Sequence, residues 1–277
     1  MSAEEKKAIL ITGACGGLGA AAVSEFAKSG YLVYAADISP CLEAENVVPL
    51  VMDVTSEESV EAACEKVAEK GAPLCEIIHL AGLYTMDSFI EIPPETLEKM
   101  LAVNLMGVYR VNRGFLPLIQ SSGGRIVIVA SELAPLDPLP FNGIYTVTKR
   151  ALDGYAHSLA LELDLLGTRV VTVYPGAFGD GMPRAALASM ERMSEKSRLY
   201  HDIAKRFSKI VAAETGSAKD PALLAKKLRS ITEKRRPRFK YFINNSLKLR
   251  LFSALPMGAQ AFLLRLLLKG KTRERKE

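Results

Sequence analysis

The sequence predicts a single α/β domain built on a doubly wound, mainly parallel sheet. Three observations carry that prediction. Short apolar runs rich in Val, Ile and Leu alternate with stretches of helical periodicity from the first residues onward. Most of these runs are apolar without interruption, as strands covered on both faces are. A glycine-rich turn joins the first run to the first helical stretch, where a parallel βα unit places its tightest turn.

Strands are expected at Ala8–Ile11, Tyr31–Ala36, Val47–Met52, Glu76–Leu80, Ile126–Ala130 and Val170–Tyr174. Val47–Met52 carries Pro49, which suits a sheet edge or a strand start. Between them, helices are expected at Leu18–Ser29, Ser56–Glu69, Pro94–Leu118 and Tyr145–Leu166. Thr55 reads as the N-cap of the second helix, with Glu58 three residues on completing a capping box. After Pro175-Gly176 the pattern changes. Met182–Val211 reads as one helix rich in Met and charge, with Leu199, Ile203 and Phe207 on one face. Asp220-Pro221 opens a further helix to Thr232, and Phe239–Ile243 reads as the last strand. The expected organisation is one domain over 1–246 and an extension over 247–277.

Of the 277 residues, 49% are hydrophobic and 24% charged, a balance that excludes a disordered or fibrous chain. Cys15, Cys41, Cys64 and Cys75 form no CxxC pair and have no neighbouring His. They are expected to be reduced thiols, and no metal site is expected. No long apolar segment precedes Thr12, so no secretory signal is expected. No uncharged apolar stretch reaches the roughly 18 residues that a spanning helix needs. A cytoplasmic location is therefore expected. Up to residue 189 the chain carries 13 Lys and Arg against 23 Asp and Glu; beyond it, 23 against 8. Such a basic end either meets an anionic partner or is a solvated face. No nucleic-acid partner is expected.

Thr12-Gly13-Ala14-Cys15-Gly16-Gly17-Leu18-Gly19 follows the first strand and opens the first helix. Glycines there let backbone approach a pyrophosphate, and the helix N-terminus offers N–H groups and the positive end of its dipole. A lone glycine turn is weak evidence; an acid at the tip of strand two strengthens it. That acid is Asp37, 20 residues beyond Gly17. Its carboxylate can accept hydrogen bonds from a ribose 2′-hydroxyl and would repel a 2′-phosphate. At about 4 Å and an effective dielectric of 20 that repulsion is roughly 4 kcal/mol. Positions 14, 15 and 38 are Ala14, Cys15 and Ile38, so no cation compensates, and NAD is expected over NADP.

Tyr145 and Lys149 are four apart on a predicted helix and share a face. An ammonium beside a phenol favours the phenolate, and a tyrosine so tuned can act as acid or base on a carbinol or carbonyl oxygen. Alone, YxxxK is common and usually carries no chemistry. Ser131 changes that: it ends the fifth strand, at the edge where open α/β sheets bind ligands.

With these residues in place, the sequence resembles the short-chain dehydrogenase/reductases over roughly residues 7–243, specifically their hydroxysteroid and retinol dehydrogenase relatives. Thr12–Gly19, Asp37, Asp53-Val54, Ala81-Gly82, Asn104, Ser131, Tyr145, Lys149 and Pro175-Gly176 match in family order. The resemblance implies a Rossmann-type fold with Tyr145 as acid/base. It implies that Lys149 lowers the Tyr145 pKa and bonds the nicotinamide ribose, that Ser131 orients the substrate oxygen, and that Asn104 holds a water in a proton relay. Asp53 and Val54 would lie by the adenine, and Ile38, Ala81, Gly82, Pro175, Gly176 and Phe178 would complete the cofactor's surroundings. Two departures stand out. His79-Leu80-Ala81-Gly82 replaces the family's usual Asn-Asn-Ala-Gly, with His79 read as a packed strand residue, and Asp180 stands where a Thr is usual.

The family's variable substrate lid falls at about 178–213. There Met182, Met190, Met193, Leu199, Ile203 and Phe207 offer an adaptable apolar wall, to which Leu83, Tyr84, Leu133, Pro135 and Leu139 add from strand-end loops. The expected substrate is a bulky lipophilic alcohol or ketone, a hydroxysteroid or bile acid first and a retinol or long-chain lipid alcohol second. From another class, the competing reading is a non-catalytic NAD-binding sensor or scaffold at a membrane. The extension joins the leucine-rich stretch Phe262–Leu268 to the basic run Lys269–Lys276. It suits a peripheral membrane contact, a cover over the pocket or an oligomer contact. The expected assembly is a homodimer or homotetramer.

Overall fold

A computed structural model describes residues 6–215 and 218–268. Seven strands form the sheet: β1 (Ala8–Thr12), β2 (Leu32–Asp37), β3 (Val47–Val51), β4 (Leu74–His79), β5 (Arg125–Val129), β6 (Arg169–Pro175) and β7 (Lys240–Ile243). They lie in the order β3-β2-β1-β4-β5-β6-β7, every neighbouring pair parallel. All seven predicted strands are present within one to two residues at most ends, and Val47–Val51 with its Pro49 is the edge strand.

The uninterrupted apolar runs have the expected cause. Alternate residues of a strand face opposite sides. In β1, Ala8 and Leu10 enter one core while Ile9 and Ile11 enter the other. The first core lies under α2 (Glu57–Glu69), α4 (Val108–Ser121) and α5 (Gly143–Asp164); the second lies under α1 (Gly17–Lys28) and α8 (Pro221–Thr232). The chain is thus a single α/β domain with a helical layer on each side of the sheet. Successive crossovers run one way from β1 to β3 and the other way from β4 onward, so a crevice opens beyond the carboxyl ends of β1 and β4.

Three predicted helices differ in detail. The stretch read as Pro94–Leu118 is α3 (Pro94–Leu101), a π-helical turn over Ala102–Gly107, and α4. Met182–Val211 is two helices, α6 (Met182–Lys196) and α7 (His201–Thr215). Glu91 causes that break: its carboxylate accepts hydrogen bonds from Ser197 Oγ and from the backbone N–H groups of Arg198 and Leu199, which fixes a non-helical connection. Leu199 consequently sits in the connection, 62% exposed, rather than in the wall with Ile203 and Phe207. At α2 the cap is Ser56, one residue later than expected. Its hydroxyl accepts from Ser59 N and donates to Glu58, while Thr55 serves a turn around Asp53.

Beyond residue 246 the chain forms α9 (Leu247–Ser253) and α10 (Met257–Leu268). Gln260 Nε2 donates to Asp137, the Arg206 guanidinium donates to Leu268 O, and Leu264 and Leu268 pack on Met190, Met193 and Phe207. One side of α10 therefore covers the lid. Phe262, Leu266 and Leu267 face outward at 61–68% exposure. The basic run Lys269–Lys276 lies outside the described residues. No described helix is long and apolar enough to cross a membrane.

Candidate active site

The turn after β1 is shaped by close backbone approach. Gly13 has φ +69°, and a Cβ there would stand 2.6 Å from the Ala81 backbone nitrogen. A Cβ on Gly19 would stand 2.0 Å from the Gly13 carbonyl oxygen. Thr12 Oγ1 accepts from Ala81 N at 3.2 Å, tying β1 to β4 beside the crevice. The N-cap of α1 is Gly16, and no side chain caps the helix. Gly16 and Gly17 are exposed, so the uncapped first-turn N–H groups offer an anion-binding end at the position a pyrophosphate requires. Leu18 packs partly into the core beneath.

Asp37 ends β2. Its Oδ2 accepts from Cys15 N at 3.0 Å and its Oδ1 from Ser39 N at 3.3 Å. Ile38 beside it is 67% exposed. Cys15 and Cys41 are joined in a disulfide, which corrects the expectation of four reduced thiols. The physical reason is proximity: the turn after β1 and the loop after β2 emerge side by side at the parallel strand ends, bringing the Cα atoms to 5.5 Å. Cys64 and Cys75 are free, and burial pushes both thiols up, Cys75 to about 12. The Asp53 carboxylate holds Thr55 through its N–H and hydroxyl at 2.8 and 2.7 Å. The Val54 side chain turns toward Gly107 and the core.

Four residues from three parts of the fold meet across the crevice. The π-helical turn carries Asn104 into it, fully buried. The Asn104 amide accepts from Leu83 N at 2.7 Å and donates to Leu83 O and Thr148 Oγ1 at 2.9 and 3.0 Å. Its side chain thus anchors the loop after β4 to α5. Ser131 lies just past β5, and Tyr145 and Lys149 stand one turn apart on α5. Ser131 hydrogen-bonds Tyr145, and the Lys149 Nζ lies 5.8 Å from the Tyr145 ring centre and donates to Val129 O at 3.2 Å. A Cβ on Gly82 would touch Asn104 Oδ1 and approach Lys149 Nζ at 3.8 Å, so that glycine keeps space open between the loop and the ammonium.

Electrostatically, burial dominates. It pushes the Tyr145 phenol above its usual value; the Ser131 hydrogen bond opposes this, while Tyr84 and Asp180 reinforce it. Burial pulls Lys149 down to about 8. The expected lowering of Tyr145 by Lys149 is therefore not realised in this state, where both groups are sealed from water and Lys149 is turned to Val129. His79 is a packed strand residue, as expected. It pairs with Asn112 at 2.7 Å, and burial pulls it down to about 4.

Beyond β6, a Cβ on Gly176 would collide with Asn244 O at 2.0 Å, so only glycine passes the end of β7 there. Phe178, expected among the cofactor's surroundings, buries its ring in the core under α1 and α8, and its backbone bridges to Lys219. Asp180, in the place of the usual Thr, accepts from Met182 N at 3.0 Å at the start of α6, and burial raises its carboxyl. A Cβ on Gly17 would meet the Asp180 backbone at 2.7 Å, so this segment rests on the start of α1.

Most of the apolar residues named from sequence fall in two clusters; Pro135, expected in the wall, is exposed and joins neither. Leu83 and Leu133 pack with Tyr145, Met100 and Ile144. Leu139 joins Met86, Met190, Met193 and Phe207 under the lid. Tyr84 belongs to both, its ring edge-on to Tyr145 at 4.8 Å. Met182 is half-buried at the start of α6. The sequence reading missed Thr148, which donates to Tyr145 O and accepts from Asn104; its place three residues after Tyr145 on one helix was the available signal.

The short chain dehydrogenase family model matches residues 7–191. Mouse estradiol 17-beta-dehydrogenase 2 is 34% identical over 186 residues, which is 63% of this chain but 49% of that protein. The chain thus spans about half the length of that relative. A 3-ketodihydrosphingosine reductase from Bacteroides thetaiotaomicron is 26% identical over 84% of this chain and 86% of its own. A short chain dehydrogenase from Burkholderia cenocepacia, solved with NADP, superposes with a TM-score of 0.71 at 24% identity, over 95% of this chain and 98% of that one. A 3-ketoacyl-(acyl-carrier-protein) reductase from Brucella melitensis, solved with NADH, gives 0.70 at 22% identity over 86% and 96%. This chain belongs to the short-chain dehydrogenase family.

Proposed function

We propose that the protein interconverts a secondary alcohol and a ketone on a bulky lipophilic substrate, a hydroxysteroid or bile acid, with NAD(H). The observation that carries this reading is the meeting of Ser131, Tyr145 and Lys149 directly beside the apolar clusters of Tyr84, Leu133 and the methionine lid. A serine hydroxyl, a buried phenol and an ammonium brought together have no use in a pure binder, which argues against the sensor reading. The residues fit a dinucleotide: an uncapped helix start for the pyrophosphate, Asp37 for the adenosine ribose, and the space that Gly82 leaves beside Lys149. When bound, the nicotinamide would supply or accept the hydride.

The chain's own residues do the rest. Tyr145, held protonated by burial, donates its proton to a carbonyl oxygen that also receives the Ser131 hydroxyl hydrogen bond. Lys149 remains an ammonium below about pH 8 and favours the resulting phenolate. Asn104 and Thr148 hold the loop after β4 against α5 so that Tyr84 and Tyr145 keep their contact. The Asp180 segment rests on Gly17, where a pyrophosphate would lie, and it is flanked by Gly179 and Gly181, glycines that can turn.

The lid's methionines favour one second reading, a long-chain lipid alcohol or keto-lipid, and the 3-ketodihydrosphingosine reductase relative supports it. NADH formation measured with hydroxysteroids, bile acids, retinol and long-chain 3-hydroxy lipids decides between them. Turnover confined to the linear lipids would reject the steroid assignment; none with any alcohol or ketone would reject the reaction. The outward residues Phe262, Leu266 and Leu267 further support a peripheral contact of the extension with anionic membrane surfaces. Co-sedimentation with anionic vesicles should be lost on removal of 247–277.

A further inference from the structure

Cys15 and Cys41 take no part in the chemistry above, yet they sit at the cofactor site. Cys15 is the third residue of the turn between β1 and α1, and Cys41 lies four residues past Asp37. Their disulfide spans 26 residues of chain and joins the two loops that flank the Asp37 carboxylate. Both carboxylate oxygens are already engaged by those loops, Oδ2 by Cys15 N and Oδ1 by Ser39 N. Each sulfur and a carboxylate oxygen all lie within 4.8 Å of one another. A ribose diol must reach this carboxylate between the two loops, and the disulfide ties those loops together beside it.

We propose that Cys15 and Cys41 are a reversible thiol–disulfide exchange site for low-molecular-weight disulfides, and that the closed disulfide blocks the adenosine ribose from Asp37. The inference rests on the dinucleotide reading above and adds its regulation. Two further observations support it. Cys15 is exposed and Cys41 half-buried, so a small disulfide can reach the pair. Cys64 and Cys75 differ: burial holds both thiols protonated, and Cys64 is tied to the Gly114 carbonyl.

The chemistry balances with glutathione disulfide as the oxidant. One cysteine thiolate attacks it, forming a mixed disulfide and releasing one glutathione thiolate. The second cysteine thiolate attacks the protein sulfur of that mixed disulfide and releases the other. Two cysteine thiols lose two electrons and two protons in all, and one glutathione disulfide becomes two glutathione thiols. Excess reduced thiol reverses both steps and frees the loop after β2 to swing away from the glycine turn.

The test compares the full chain after equilibration with glutathione disulfide and after reduction with dithiothreitol. Thiols are counted in denaturant and NAD binding is measured by calorimetry. Four titratable thiols should fall to two on oxidation, with Cys15 and Cys41 in one non-reduced peptide, and NAD should bind at least tenfold more weakly. Saturating NAD should slow the loss of thiols. Cys41→Ser should bind NAD like the reduced protein under both conditions. Equal NAD affinity in the two states, or four thiols persisting with glutathione disulfide, would overturn the proposal while leaving the dinucleotide reading intact. Reduced protein that binds neither NAD nor NADP would instead remove the dinucleotide reading and this inference with it.

Discussion

Gly13 and Gly19, in the turn after β1, meet backbone so closely that no Cβ fits, whereas Met190 and Met193 in α6 meet other side chains with several rotatable bonds. On the proposed function the first region would bind through main-chain groups and one carboxylate, so its residues are dictated by geometry. The second encloses its target with side-chain volume, which many residue combinations supply. The difference teaches where the identity of a reaction is stored in this chain. On the proposed function, the cofactor end and the proton donor are specified residue by residue, and the substrate by a surface that tolerates exchange.

Removing the proton donor should produce the largest effect. Tyr145→Phe keeps the ring against Tyr84 and loses only the hydroxyl, so the folded variant should bind cofactor normally. Turnover should fall by about 10²–10⁴, the usual range of a positioned acid or base. Turnover within a few-fold of the native protein would take the catalytic role from this residue and erase the distinction between the two regions.

Asp37→Ala tests the other residue that geometry singles out. Repulsion of a 2′-phosphate is worth up to roughly 4 kcal/mol at an effective dielectric of 20, which sets an upper limit on the cofactor preference. In kcat/KM with reduced protein, NAD should be preferred natively, and the variant should lose most of that preference. A native protein that uses NADP as well as NAD would contradict the assignment of Asp37.

Two core truncations then sharpen the comparison directly. Phe26 in α1 and Met190 in α6 are both fully buried. Each replaced by Ala should lower stability, by about 3–5 kcal/mol for Phe26 and 2–5 for Met190 in denaturant unfolding. Their kinetics should differ. Phe26→Ala should leave KM for the lipophilic substrate alone, while Met190→Ala should change KM or the order of preference among substrates. Identical kinetic profiles would mean that the lid cluster only packs.

This division also explains what was legible in the sequence. The inner strands β1, β2, β4, β5 and β6 were readable because both faces of each are buried, which leaves nearly continuous apolar runs. The glycine turn, Asp37, Ser131, Tyr145 and Lys149 were readable because their spacing is tied to strand ends and one helical turn. The break between α6 and α7 was not, since it depends on Glu91, about 106 residues away in sequence. The π-helical turn at Asn104 depends on Leu83 and Thr148 in the same way. The Cys15–Cys41 pair was misread for a related reason: which way a loop residue turns is set by the neighbouring loop, and a local pattern contains no trace of it.

His79 offers the smallest and most specific effect, at the boundary between sheet and site. Burial pulls it down to about 4, the Lys149 charge acting in the same direction and the Asn112 hydrogen bond opposing. An unfolded histidine titrates near 6.5, so between pH 6.5 and 4 the unfolded chain binds a proton that the folded chain refuses. Stability from this residue is fully present above 6.5 and is lost as pH falls, by about 1.4 kcal/mol per unit. Glu76 on the same strand opposes this trend, because burial raises it to about 8 and its protonated form favours folding as pH falls. The two are separated by difference. In His79→Asn the Glu76 contribution stays and the histidine contribution disappears, while any loss of packing shifts stability equally at every pH. Urea unfolding of both proteins from pH 7 to 4.5 should therefore show the native protein losing ground to the variant steadily below 6.5. Parallel curves would mean that His79 takes up its proton in the folded state, and that β4 ends in a wetter environment than its position beside Asn112 implies.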